Sequence, residues 1–325
     1  MQNKYIIIIL AIICGMGLSS CDDKYDQSEL SSKSYIVLYA FPSTNDTLDI
    51  IVSVTRPLDG KTKELNVRKL SCMTGTNEDR IIDKKKDEYN GIPVILYRAV
   101  GHREVGDRVT ISVEADNLMP VTASTVIPDK VAMDTLNITN AQYRDGSYTL
   151  IRTGFDNTNP DKYYAVTILK ASRTRNYYYD PTDEDWKYTE QWNSENLLIE
   201  TSAEPLLSAD SYMDFLFDSW NEYMYHMYIF NTKWQTESHI DLHLYTQLYY
   251  DDRYRYTVQL FALSQEYYRM LRSINDHESN DLGGNGLSFV SSTYTNVKNG
   301  FGCVGAYACT ERVREPKNNN YIYSY

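Results

Sequence analysis

Val109-Thr110-Ile111-Ser112-Val113 alternates apolar and polar side chains without a break. Successive side chains of a strand point to opposite faces, so this period of two predicts a strand with one face in a core. Runs of the same kind precede it: Tyr35–Ala40, Leu48–Val54 and Ile92–Tyr97. Asp59-Gly60, Asn90-Gly91 and Gly106-Asp107 supply turn chemistry near or between them. Short strands punctuated in this way predict an immunoglobulin-like β-sandwich over 34–128, with Ile127-Pro128-Asp129 as its boundary.

The rest of the chain extends the pattern. Tyr148–Ile151 and Tyr163–Leu169 read as strands. Ile240–Tyr250 places Ile240, Leu242, Leu244 and Leu248 on one face, and Arg253–Leu263 groups Tyr254, Tyr256, Val258, Leu260 and Ala262. Ser264-Gln265-Glu266 is a helix start, a serine cap followed by an anion near the positive helix end. Tyr267, Leu271 and Ile274 then recur at helical spacing, predicting a short helix near 264–275. Gly283-Gly284-Asn285-Gly286 ends that unit, and closing strands are expected over 287–297 and 301–309. Together these predict a mainly β second domain, a sandwich or barrel-like body, over 129–325. It carries an irregular aromatic-rich insertion over 173–237, with Ala209–Asn221 as a short helix.

The N-terminus has a different character. Lys4 precedes the apolar run Tyr5–Ile13, which is shorter than the roughly 20 apolar residues a membrane-spanning helix needs. Residues 1–20 therefore read as an export signal. Leu18-Ser19-Ser20-Cys21 resembles a bacterial lipobox, in which small residues admit a peptidase and the cysteine thiolate takes up lipid. Cys21 is the predicted lipidation site and residues 21–33 a polar, acidic tether. Two or three acyl chains, each buried methylene contributing about 0.8 kcal/mol, make such an anchor effectively permanent.

Composition narrows the partners. The net charge of −12 and the lack of a Lys/Arg stripe argue against nucleic acid and against a polybasic grip on anionic lipid. Beyond Cys21, three cysteines remain, Cys72, Cys303 and Cys309. An odd count does not describe a disulfide framework, and buried thiols are expected. The 30 tyrosines against 8 phenylalanines suit strands whose surfaces are half wet.

The segments Leu263–Ser273 and Asn296-Val297-Lys298-Asn299-Gly300-Phe301-Gly302-Cys303-Val304-Gly305-Ala306-Tyr307 resemble two signatures of a Bacteroidota lipoprotein family, domain-of-unknown-function family 4249. Gly106–Thr110, Thr122–Pro128 and Asp161–Tyr164 resemble its weaker motifs. Cys303 stands where members more often carry an aliphatic residue, and nothing in 173–237 matches. The resemblance implies an outer-membrane lipoprotein encoded beside TonB-dependent receptors, with such a receptor as partner and an accessory or substrate-capturing role in uptake. It also implies that Asp22-Asp23, just after the lipidated cysteine, directs the protein to the cell surface, the periplasmic face of the outer membrane being the alternative. A structural or adhesive surface protein and a degradative surface enzyme are the alternatives. Asp46-Thr47-Leu48 and Asp134-Thr135-Leu136 resemble the O-glycosylation signal of the same bacteria, making Thr47 and Thr135 candidate acceptors.

Catalytic chemistry finds little support. Gly-x-Ser-x-Gly and His-Glu-x-x-His do not occur, and no Cys/His pair stands in a nucleophile context. No enzyme activity, metal or cofactor is expected. His239 and His243 would share an ion on a helix, but the alternating leucines around them predict a strand, where they stand about 13 Å apart. Asp180–Asp185 lacks the glycine pivot of a calcium loop and reads as a solvated acidic turn. The leading candidate site is aromatic: Tyr177, Tyr178, Tyr179, Trp186, Tyr188 and Trp192. Flat rings beside carboxylates suit a sugar or peptide ligand, and they equally suit packing against the sandwich or a partner protein.

Overall fold

The computed structural model describes residues 33–56, 64–89, 91–207, 212–215, 225–247, 250–278 and 293–317. Residues 1–32, with Cys21 and nearly all of the expected tether, lie outside the described residues, as do Asp59-Gly60 and Gly283–Gly286. The fold is mainly β, and none of its sheets closes into a barrel.

Eight strands build the first body: β1 (Ile36–Ala40), β2 (Thr47–Val54), β3 (Val67–Thr74), β4 (Asn77–Glu78), β5 (Arg80–Tyr89), β6 (Ile92–Val100), β7 (Arg108–Ala115) and β8 (Val121–Val126). β1, β2, β6 and β5 lie side by side in one sheet; β4, β3, β7 and β8 form the other. Between them Leu38, Ile50 and Val52 share a core with Ile111, Val113 and Ala123. The alternation of β7 follows directly, with Val109, Ile111 and Val113 buried between half-buried Thr110 and Ser112.

One edge of this sandwich is closed by a buried ion pair. Arg103, just beyond β6, meets Asp79 between β4 and β5, and their side chains are 0% and 2% exposed. Arg103 also donates to the carbonyls of Asn45 (3.0 Å) and Asp46 (3.1 Å), while Cys72 and Thr74 donate to Asp79 (3.2 Å each). Burial, reinforced by the Asp79 carboxylate, pushes the Cys72 thiol up to about 12. The pair fastens loops of one sheet to the other.

The second body comprises β9 (Asn137–Tyr143), β10 (Gly146–Asp156), β11 (Tyr163–Asp180), β12 (Asp185–Asn196), β13 (Tyr212–Phe215), β14 (Tyr225–Asn231), β15 (His239–Thr246), β16 (Arg255–Leu263), helix α1 (Gln265–Glu278), β17 (Phe301–Val304) and β18 (Tyr307–Arg314). β15, β10 and β9 form a small sheet facing the larger β13-β14-β11-β16-β18 sheet. Ile151, Phe155, Leu242 and Leu244 share this core with Val166, Ile168, Val258 and Leu260. α1 covers the far face of the larger sheet, setting Tyr267, Met270 and Leu271 in one cluster with Ala165, Ile229 and Phe261. Tyr163–Ile168 is therefore buried on both faces, which explains why its sequence does not alternate, Thr167 being its one buried polar residue.

Two expected elements differ. Within the expected helix Ala209–Asn221, residues 212–215 are strand β13, paired antiparallel with β14. A lone short helix is marginal, whereas an adjacent strand satisfies the same backbone groups. The closing segments also differ. Residues 293–297 form no strand, and 301–309 divides between two sheets. β17 leaves the second body and pairs in parallel with β1, Leu38 opposite Gly302; β18 then returns to β16. Val297, Val304 and Ala306 thereby complete the first core.

The signature residues build this crossing. The Ser264 hydroxyl accepts from Ala306 N (3.0 Å), from Thr125 Oγ1 (3.1 Å) and from Tyr267 N (3.3 Å), so one oxygen caps α1 and joins β8 to the C-terminal segment. The Asn296 amide donates to Val304 O (2.9 Å) and Ser124 O (3.3 Å) and accepts from Val304 N (3.0 Å), standing in for a strand. Gly302 has φ +103, and a Cβ there would fall far inside contact distance of Leu38 O. Gly305 lies against Tyr267, whose Cβ would sit 2.6 Å from an added one.

Candidate functional site

β11 outruns its sheet. Its pairing with β16 ends at Ala171, but its pairing with β12 continues to Asp180 opposite Asp185. Arg173–Asp180 and the facing half of β12 therefore form a two-stranded ribbon reaching about 25 Å beyond the sheet at 3.3 Å per residue. The connection is tight: Pro181 presets its own φ, Glu184 adopts φ 51, and Asp180 accepts from Thr182 N (2.9 Å).

Register decides which rings share a face. Arg173, Arg175, Tyr177 and Tyr179 stand opposite Trp192, Glu190, Tyr188 and Trp186. Directly opposite residues project to the same side, so five of the six predicted aromatics form one ladder with rungs about 6.7 Å apart. Tyr178, opposite Lys187, faces the other way. Tyr177 and Tyr188 tilt against each other at 5.8 Å between centroids, and Tyr179 meets Trp186 edge-on at 5.8 Å. Arg175 lies 4.2 Å above the Tyr188 ring and Arg255 3.9 Å above Trp192. Glu190 binds Arg173 and Arg175, the latter at 3.1 Å, which holds the guanidinium over its ring. All six rings are exposed, Trp186 to 66%, and none belongs to a core. The ladder is surface.

The ribbon tip is acidic. Lys187 Nζ bonds Asp180 (2.5 Å) and Asp183, which raises the lysine and lowers Asp180 from their ordinary values. The acidic turn is closed by this lysine. Asn157 and Asn159 in the Asp156–Asp161 turn, at the opposite end of β11, are likewise spent on structure. Asn157 accepts from Tyr164 (2.9 Å) and Thr232 (2.7 Å), and Asn159 donates to the carbonyls of Tyr163 (2.8 Å) and Leu263 (3.2 Å).

His239 and His243 stand on a strand, β15, as the leucines predict, with Ile240, Leu242 and Leu244 buried on the other face. Among the described residues no group of three or more His, Cys, Asp or Glu is placed to hold a metal ion. His239 has another role that sequence spacing does not reveal: Nδ1 lies 3.0 Å from Asp156 and Nε2 3.2 Å from Asp134. Two carboxylates favour the imidazolium, so its pKa is raised, chiefly by the Asp156 hydrogen bond. The stabilisation is complete below the unfolded value near pH 6.5 and is lost as pH rises through the folded value. Asp156→Asn is expected to lower the His239 titration midpoint followed by NMR of the ring protons; an unmoved midpoint would reject the clamp. A cleft of about 700 Å³ adjoins it, lined by Asp134, Thr135, Arg152, Asp241, His243 and Arg312. Thr47 and Thr135 are both exposed.

Cys72 and Cys303 are buried, Cys309 is half-buried, and none is bridged. Burial drives the Cys303 thiol upward and pushes Cys309 up to about 12. Such thiols are inert.

The geometry defines a mainly β protein of two packed bodies with a projecting aromatic ribbon. The chain belongs to the family described as "Domain of unknown function (DUF4249)", whose model matches residues 22–312. No curated protein matches it significantly. Among solved structures, one titled "Biofilm associated protein - BSP domain" aligns at 7% identity with a TM-score of 0.18, over 87% of this chain and 59% of its own length. The chain thus spans less than two thirds of that structure.

Proposed function

We propose that this protein is an outer-membrane lipoprotein, anchored through Cys21 and facing the cell surface, that assists a TonB-dependent receptor in nutrient uptake. The aromatic ribbon is its contact surface, engaging the receptor or the substrate handed to it. The observation that carries the reading is a ladder of exposed Trp and Tyr held away from both cores, a large solvent-facing aromatic surface of the kind that marks interaction sites. The lipobox at Leu18–Cys21 and membership of the family support the membrane setting.

Trp186→Ala/Trp192→Ala is expected to leave folding unchanged, since neither ring enters a core, and to reduce recovery of the receptor at least tenfold. The measurement is gentle detergent extraction, capture through a C-terminal tag and identification of outer-membrane receptors in wild-type and variant eluates. Recovery of no receptor by the wild type rejects the accessory role. Equal recovery by both removes the ribbon from it.

A further inference from the structure

The two faces of the ribbon and the position of its outer strand point to a more definite partner. Among the described residues β12 forms a ladder with β11 alone and is there an edge strand of the ribbon. Edge strands present outward N–H and C=O groups that template pairing with another chain. Natural edges are commonly blunted by proline, bulges, brevity or lysine; β12 is twelve residues long, contains no proline, pairs with β11 in unbroken register, and its one lysine, Lys187, is held by Asp180 and Asp183, although Asp185 already takes the Trp186 N–H (2.8 Å).

We propose that β12 accepts an extended polypeptide strand whose side chains alternate apolar and cationic. The inference rests on the reading of the ribbon as a contact surface. Two facts select this occupant. First, Trp186, Tyr188, Glu190 and Trp192 share one face of β12 at a repeat of about 6.7 Å, which is the same-face repeat of any extended polypeptide. An added strand therefore meets the rings in step along its whole length, each apolar side chain falling beside a rung. Second, the opposite face carries Asp185, Lys187, Thr189, Gln191, Asn193 and Glu195; Glu195 is paired with Lys170 (2.5 Å), whereas at the tip Lys187 is shared by Asp180 and Asp183 in a turn that also holds Glu184 and Asp185. The alternate side chains of the incoming strand meet that face, where a cation beside the tip complements its excess of carboxylates and the neutral Thr189, Gln191 and Asn193 further along admit the rest. A second copy of this chain brings its own acidic tip and the same net charge of −12, so self-pairing is disfavoured.

The test uses the full-length protein in detergent and an acetylated eight-residue peptide alternating lysine and tyrosine. Two controls accompany it: a block peptide of four lysines followed by four tyrosines, and the alternating peptide N-methylated at every second residue. The alternating peptide is expected to bind at least tenfold more tightly than either control and to protect β12 amides from hydrogen exchange. Trp186→Ala/Tyr188→Ala should weaken it at least tenfold. Equal binding of the N-methylated or block peptide overturns the proposal, because neither backbone pairing nor alternation is then being read. Binding of cellohexaose without the alternating peptide also overturns it, as does self-association of the protein through the ribbon. If the peptide fails while receptor recovery still depends on Trp186 and Trp192, strand addition is wrong and the ribbon remains the contact surface.

Discussion

Arg103→Met is expected to destabilise the fold by about 3–5 kcal/mol, measured as a lower urea midpoint. The guanidinium is removed from a site with no solvent access, so Asp79 is left charged and buried beside Cys72 and Thr74. The Asn45 carbonyl loses its donor in the same step, while that of Asp46 keeps the Gly101 N–H. Desolvated partners cannot recover this from water, and the loss greatly exceeds that of an exposed pair, typically about 0–1 kcal/mol. The design contains its own control. Arg103→Met combined with Asp79→Leu removes both charges and should recover much of the loss, since the penalty comes from the stranded carboxylate. A double variant as unstable as the single one would show that the backbone contacts of Arg103 carry the effect.

The second large effect is expected at Gly302. Gly302→Ala places a Cβ against Leu38 O in a backbone conformation, φ +103, that L residues rarely adopt. The unfavourable dihedral alone costs about 1–3 kcal/mol, and the clash adds to it because the neighbour is backbone of β1 and cannot rotate away. A total of about 3 kcal/mol or more is expected in equilibrium unfolding. Hydrogen exchange should show β1 amides losing protection first, since β17 is their parallel neighbour. A variant of unchanged stability would mean that β17 does not hold the register described.

How much of this was legible beforehand depends on whether a segment buries one face locally. β7, β15 and β16 do, and their alternation placed them correctly, as capping chemistry placed α1 at Ser264. β12 does not: both of its faces meet solvent, so no hydrophobic period marks it, and the ribbon read as an irregular insertion. β5 was hidden for a related reason. Its Lys84-Lys85-Lys86-Asp87-Glu88 run is the charged composition that protects a sheet edge, and composition alone reads it as loop. The six aromatic residues were identifiable as a group, but their ladder needed the β11–β12 register, which also turns Tyr178 away from the others. The clamp on His239 was out of reach, because Asp134 and Asp156 come from distant stretches of the chain. The glycines and Asn296 of the C-terminal signature marked the family; their purpose, joining the two bodies, appears only once β17 is seen beside β1.

That last pairing has a consequence for biogenesis. Val37 and Phe301 are 264 residues apart in sequence (301 − 37), yet they are neighbours in one sheet. A chain synthesised amino end first must keep its earliest sheet unfinished, with one margin open, until the β17 segment is made. Contacts this distant in sequence slow folding, and open margins invite aggregation. Completion of the β17 segment, not emergence of the first body, is then the moment at which the protein can become native, and truncation anywhere before residue 301 should leave even the amino-terminal half unable to fold fully.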